Sequence, residues 1–342
     1  MIDQKSMHTL FDPSVDRATK IDQQLRDKLI GSLEYLAGYL TSATWDRSNT
    51  LAQALVELKT KPVSPWVFGI YAILVQNASH EETDVARQHF DSLIAAITTP
   101  PPSKTMITMA DIGLSDTHRT VAQTLFDTDP ARPFLPQPPT SQEFDACCLE
   151  IKSALALIKN ADPDLAAEMN VLVRLFLLAV PEGLQPSQGF NGASTFFLWG
   201  ATLINARPER GIIGMVDLLI HEASHLLLFG LVSGGPLSKN DPNKLYNSPL
   251  RTDLRPIDGI FHAAFVSTRV HLSMQRMRNG GMVPADLLTA LDKSAKTKKA
   301  AALSAVDLLH NELDATPEGQ EIFDAMVNYW QADEDSAAEC VR

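Results

Sequence analysis

The sequence predicts an α+β chain that is predominantly α-helical. Three observations carry this. Leucines recur at helical spacing through the first third. A tract rich in apolar, β-branched and aromatic residues, broken by Pro and Gly, lies between Val171 and Asn205. Long periodic segments bounded by Pro and Gly follow residue 208.

Leu25, Leu29, Leu33, Leu36 and Leu40 fall three and four apart, which draws one apolar stripe on a helix; Leu51, Leu55 and Leu58 continue the pattern in a second. Trp66 to Val75, opened by Pro65, is apolar on all sides and predicts a buried helix. Val85 to Ile97 gives another amphipathic helix, ended by Pro100-Pro101-Pro102, and Leu114 to Phe126 a weaker one. Five prolines from Pro130 to Pro139 form a stiff connection and the best boundary. It divides a helical region, residues 1–130, from a second domain, residues 140–342.

Thr140-Ser141-Gln142-Glu143 fits a capping box that opens a helix to about Lys159, and Asp162-Pro163 opens a shorter one. Val171 to Val180 and Phe190 to Asn205 read as strands of a small antiparallel sheet; a helix over Val171 to Val180 is the alternative. Apolar helical periodicity then runs from Pro208 to Gly230. After a loop from Ser233 to Pro249, helices are predicted from Pro256 to Arg278, Pro284 to His310 and Pro317 to Trp330.

Composition bounds the function. At 342 residues and 45% hydrophobic content the chain can bury a sizeable core. A formal net charge of −12 argues against a general nucleic-acid binder, and Lys293, Lys296, Lys298 and Lys299 read as a solvated helix face. Adjacent Cys147 and Cys148, with Cys340, read as reduced thiols. Met1 to Phe11 lacks the apolar core of a signal peptide, and no apolar run reaches the ~18 residues of a membrane span. The expectation is a cytoplasmic protein with no membrane partner.

His221-Glu222-Ala223-Ser224-His225 is the most informative segment. On a helix, residues four apart sit one turn apart on one face, so two imidazoles can be directed at one metal ion. Glu222 is rotated by about 100° and can reach the same cavity from the side. This is the ligand-ligand-base layout of zinc peptidases. A strand followed by such a helix is also the order of a zincin-like core.

A catalytic metal takes a third protein ligand. The metzincin extension fails, because Leu228 and Leu231 stand where Gly and His are needed, and no Glu follows until Glu312. His262, in an apolar stretch on the next long helix, is the expected third ligand. Asp258, one turn earlier, is an alternative ligand or a group that orients His262. Arg251, Arg255 and Arg269 cluster nearby. Arginine grips carboxylates bidentately, so they predict a carboxylate-binding pocket beside the metal, with salt bridges to Asp253 and Asp258 as the simpler role.

The motif at 221–225, Ser248-Pro249-Leu250-Arg251-Thr252-Asp253-Leu254-Arg255-Pro256 and Gly259-Ile260-Phe261-His262 together resemble one family. These are the H-E-x-x-H putative peptide-modification proteins of ribosomal peptide natural-product clusters, which are 2-oxoglutarate-dependent peptide β-hydroxylases. The resemblance covers about residues 190–275. It implies Fe(II) on His221, His225 and His262, 2-oxoglutarate anchored by Arg251 or Arg255, and a ribosomal precursor peptide as substrate. Glu222 would then orient a ligand or the substrate. Non-haem iron sites usually carry two His and a carboxylate, and three His also suit zinc, so a zinc metallopeptidase stays open. So does a non-enzymatic peptide-binding module with a structural metal. The N-terminal helical region offers a partner or leader-peptide surface in each case.

Overall fold

Leucine spacing builds the first helix, and the computed structural model shows the stripe it buries. The structure describes residues 10–99, 105–108, 110–111, 116–126, 136–182, 190–233, 235–248 and 253–339, with side chains to 334. It is predominantly helical with a small sheet. The chain divides into two compact units that interleave along the sequence, unlike the consecutive spans 1–130 and 140–342. One comprises residues 16–149 and 170–209; the other comprises 1–15, 150–169 and 210–342.

In the first unit, α1 (Val15–Leu40) buries Leu25, Leu29, Leu33, Leu36 and Leu40. The next helices are α2 (Ser48–Thr60), α3 (Pro65–Ser79), α4 (Thr83–Thr98) and α5 (Asp116–Phe126). As expected from its composition, α3 is buried on most sides. A Cβ at Gly69 would fall 2.5 Å from Leu198 Cδ1 and closer still to Val121 Cγ1, so glycine is what lets α3 approach α5.

The sheet holds β1 (Met106–Thr108), β2 (Pro136–Gln137), β3 (Leu175–Pro181), β4 (Gly192–Ser194) and β5 (Ala201–Asn205). It is mixed rather than antiparallel. β3 pairs parallel with both β1 and β5, while β4 on β5 and β2 on β3 are antiparallel. Nearly every residue of β3 and all of β5 are buried, the continuous apolar pattern of parallel strands. The segment from Glu182 to Gly200 is long enough for the crossover such pairing needs. Helix and strand share the ambiguous tract: the helix α7 (Pro163–Leu172) ends just before β3. Thr195 to Trp199 is not strand. Phe196–Leu198 is a 3₁₀ turn whose Phe197 N–H donates to Thr195 Oγ1 at 3.3 Å, and Gly200 follows at φ +92°.

Buried Asp22 ties this unit together. It accepts from Arg174 Nη1 at 2.6 Å, Trp199 Nε1 at 3.0 Å and Arg26 Nε at 3.0 Å. Burial raises its carboxyl, but the Arg174 charge and the hydrogen bonds outweigh that and hold it below the usual range.

Thr140 caps α6 (Ser141–Ala161) as the capping box requires: Glu143 N–H donates to Thr140 Oγ1 at 3.2 Å, and Thr140 N–H donates to Glu143 Oε2 at 2.8 Å.

The second unit is built on α8 (Gly211–Leu231), α9 (Ile257–Asn279), α10 (Ala285–Glu312) and α11 (Pro317–Glu339). The expected loop before α9 contains a short hairpin, β6 (Leu245–Asn247) with β7 (Leu254–Pro256). Among the described residues α8 is the one helix long and apolar enough to cross a membrane, a run the sequence reading had passed over. Two thirds of its most apolar window (67%) is buried, because α8 packs between α9 and α10. The lysine cluster is likewise not simply solvated: Lys298 pairs with Asp217 at 2.8 Å, and Lys299 pairs with Asp333.

Candidate metal centre

α8 is apolar around most of its circumference, so most of it is buried. Past its first turn, the residues that keep some exposure are Gly214, Asp217, His221, His225 and Phe229, with Leu231 at the end. From Asp217 to Phe229 these are successive steps of four, a single row along one face. The two motif histidines therefore occupy the only accessible stripe of a buried helix. On α9 the partly exposed residues of the first two turns are Asp258, Gly259, His262 and Ala263, again one face.

The structure brings His262 to the motif. His225 Nε2 lies 3.2 Å from His221 Nε2, and His225 Nδ1 lies 3.1 Å from His262 Nδ1. The His225 and His262 rings stack at 5.3 Å and 26°. Phe229, which sequence reasoning missed, lies against both, 6.3 Å from His225 and 5.1 Å from His262. Its signal was present: it is the next step of four after His225.

The donor set fits a divalent cation in part as it stands. Two nitrogens bound at 2.0–2.1 Å to a tetrahedral ion lie about 3.3 Å apart, and the His221–His225 pair already has that span. His225 meets its two neighbours with opposite ring nitrogens, however, and among the described residues no three His, Cys, Asp or Glu side chains converge on one metal-sized point. Rotation of the His262 ring toward the Nε2 pair is the adjustment that a three-ligand site requires.

Comparison with family models and with curated proteins returns no match. The reading of this centre therefore rests on its own geometry.

The other predicted residues divide. Glu222 is 3% exposed and lies off the accessible stripe. Asp258 accepts a hydrogen bond from Ser238 Oγ at 2.6 Å. Arg255 belongs to β7, just before α9. It pairs with Asp253 at 2.6 Å, as the simpler reading held, while among the described residues its buried Nε has no hydrogen-bond partner. Arg269 is committed elsewhere: its guanidinium is buried against Glu168 and the carbonyl of Phe11. Arg251 lies outside the described residues. A cavity of about 430 Å³ between α10 and α11, lined by residues such as His310, Phe323 and Asp324, includes none of the predicted site residues.

Burial pushes His262 down from its ordinary 6.5 to about 4, so at neutral pH its ring is uncharged and keeps a lone pair for a metal. The linkage sign follows. Between pH 6.5 and 4 the unfolded chain takes up a proton that the folded chain refuses, so this contribution is complete above pH 6.5 and is lost as pH falls toward 4. Urea midpoints of the metal-free protein at pH 7.5 and pH 5 are expected to differ more in the wild type than in His262→Gln. Equal pH dependence would refute this.

Proposed function

We propose that the chain is an Fe(II)- and 2-oxoglutarate-dependent oxygenase that hydroxylates the β-carbon of a residue in a ribosomal peptide. The observation that carries the metal part is the accessible stripe: an otherwise buried helix keeps His221 and His225 partly exposed on one face, and His262 meets His225 there. The oxygenase part rests on the resemblance over residues 190–275 and on the arginines before α9.

In this reading His221 and His225 hold the metal through Nε2, and His262 completes the set. Bound Fe(II) with 2-oxoglutarate supplies oxidative hydroxylation with O₂, one oxygen entering the peptide and the other the succinate released with CO₂. Arg255 is the described residue suited to the distal carboxylate of 2-oxoglutarate, because among the described residues its buried Nε has no hydrogen-bond partner. Phe229 lines one side and limits water near the metal. The β5-then-α8 order is that of a zincin-like core, which we include in the proposal. The leader of the precursor peptide would bind the N-terminal helical region, residues 1–130, in the cytoplasm.

A zinc peptidase is the second reading, favoured by the 3.2 Å nitrogen pair. It needs Glu222 at the reacting water, whereas Glu222 is buried off the stripe. The discriminating experiment is anaerobic loading with Fe(II) followed by 2-oxoglutarate. A visible charge-transfer band and succinate on admitting air are expected. No band and no succinate, with zinc-supported cleavage of peptides instead, would replace this proposal by the peptidase.

A further inference from the structure

The stripe on α8 has a charged end. Asp217, one turn before His221, accepts from Ser294 Oγ at 2.5 Å through Oδ2 and pairs with Lys298 Nζ at 2.8 Å through Oδ1. Ser294 and Lys298 are themselves one turn apart on α10. Both carboxylate oxygens are thus held by two successive turns of a neighbouring helix. Around the rest of α8 most of the buried side chains are apolar, among them Ile213, Met215, Val216, Leu218 and Leu219; the buried polar ones are Glu222 and Ser224, and Ser224 bonds back to Ile220 O within the helix. Apolar burial is non-directional, so it sets which broad face of a helix is turned inward but fixes the angle less sharply than a directional contact does. Hydrogen bonds are not so tolerant. An α8 turned by one residue would carry His221 and His225 about 100° away from His262.

We infer that Asp217 is a positioning residue: clamped by Ser294 and Lys298, it sets the rotation of α8 and so aims His221 and His225 at His262. The inference rests on the metal reading above and adds a determinant that the motif does not contain. The ion pair is only partly exposed, with side chains at 15% and 20%, so it is shielded from solvent more than a surface pair.

Zinc(II) affinity, measured by competition with a chromophoric chelator, and thermal midpoint of the metal-free protein separate positioning from stability. Asp217→Leu replaces the clamp by one more apolar contact. It is expected to keep cooperative unfolding while affinity falls about 10- to 100-fold, as for other residues that orient metal ligands. Lys298→Met is expected to lose affinity in the same direction, and Lys298→Arg to retain most of it. Affinity within twofold of wild type in folded Asp217→Leu overturns the inference. If Asp217→Leu does not fold, the same threshold applied to Lys298→Met decides it. If wild-type protein binds no zinc(II), the metal reading fails by itself. Positioning is then read from nuclear Overhauser contacts between the His225 and His262 rings, which lie 5.3 Å apart, expected in wild type and lost in the variant; their persistence in the variant overturns it.

Discussion

His221→Ala and His225→Ala are each expected to abolish stoichiometric metal binding, with affinity falling at least ~100-fold, a loss beyond what removal of an orienting partner costs. The proposed oxygenase turnover is expected to fall to background with it. The fold is expected to survive. Both residues are partly exposed on a stripe of α8, and substitutions at such positions typically change stability by less than about 1 kcal/mol. Metal content after dialysis against trace ion, read beside the thermal midpoint, checks both halves. A large drop in the midpoint of the metal-free variants would mean that the histidines serve the core rather than a site. Metal retained by both variants would place the ion elsewhere.

The largest expected stability effect lies at Arg269. Its guanidinium is 2% exposed and Glu168 is fully buried; Glu168 Oε2 also accepts from Ser14 N–H at 2.8 Å, and Arg269 also donates to the Phe11 carbonyl. Phe11 in turn packs on Phe265 at 5.2 Å and Tyr329 at 6.0 Å. The network therefore fastens residues 11–14 to α9. Removing one partner leaves a buried charge without compensation, at a cost of roughly 3–5 kcal/mol. Arg269→Met and Glu168→Gln are each expected to be destabilised on that scale in urea unfolding. The double variant Arg269→Met/Glu168→Leu is expected to recover part of the loss, because no lone charge remains. Two single variants with wild-type midpoints would show that the pair is not the tie described here. If Arg269 instead held 2-oxoglutarate, Arg269→Met would weaken co-substrate binding at unchanged stability.

Local signals were readable in the sequence, and distant pairings were not. The leucine stripe of α1, the apolar α3, the Thr140 capping box and the apolar α8 all write their structure in neighbouring residues. The three histidines were legible for a related reason. Spacing puts two on one face, and an uncharged setting makes a third conspicuous. Arg269 was misplaced because its partner, Glu168, is 101 residues away on another helix. Asp217 and Ser294 are 77 apart, so nothing near either shows the clamp. Strand direction was misread because the connection between β3 and β5 carries no helix signal and suggested an antiparallel return, although two-sided burial is the pattern of parallel strands. The β6–β7 hairpin escaped because strands of three residues give no alternation to count.

The central claim is that the accessible stripe of α8 and the facing turn of α9 hold one catalytic metal. A crystal structure of Fe(II)-loaded protein, with the ion located by its anomalous scattering, tests this most directly. The account predicts one ion per chain, bound by His221 Nε2 and His225 Nε2 with the His262 ring turned to join them. An ion held without His221 and His225, or no ion at all at saturating Fe(II) and at saturating zinc(II), would contradict it.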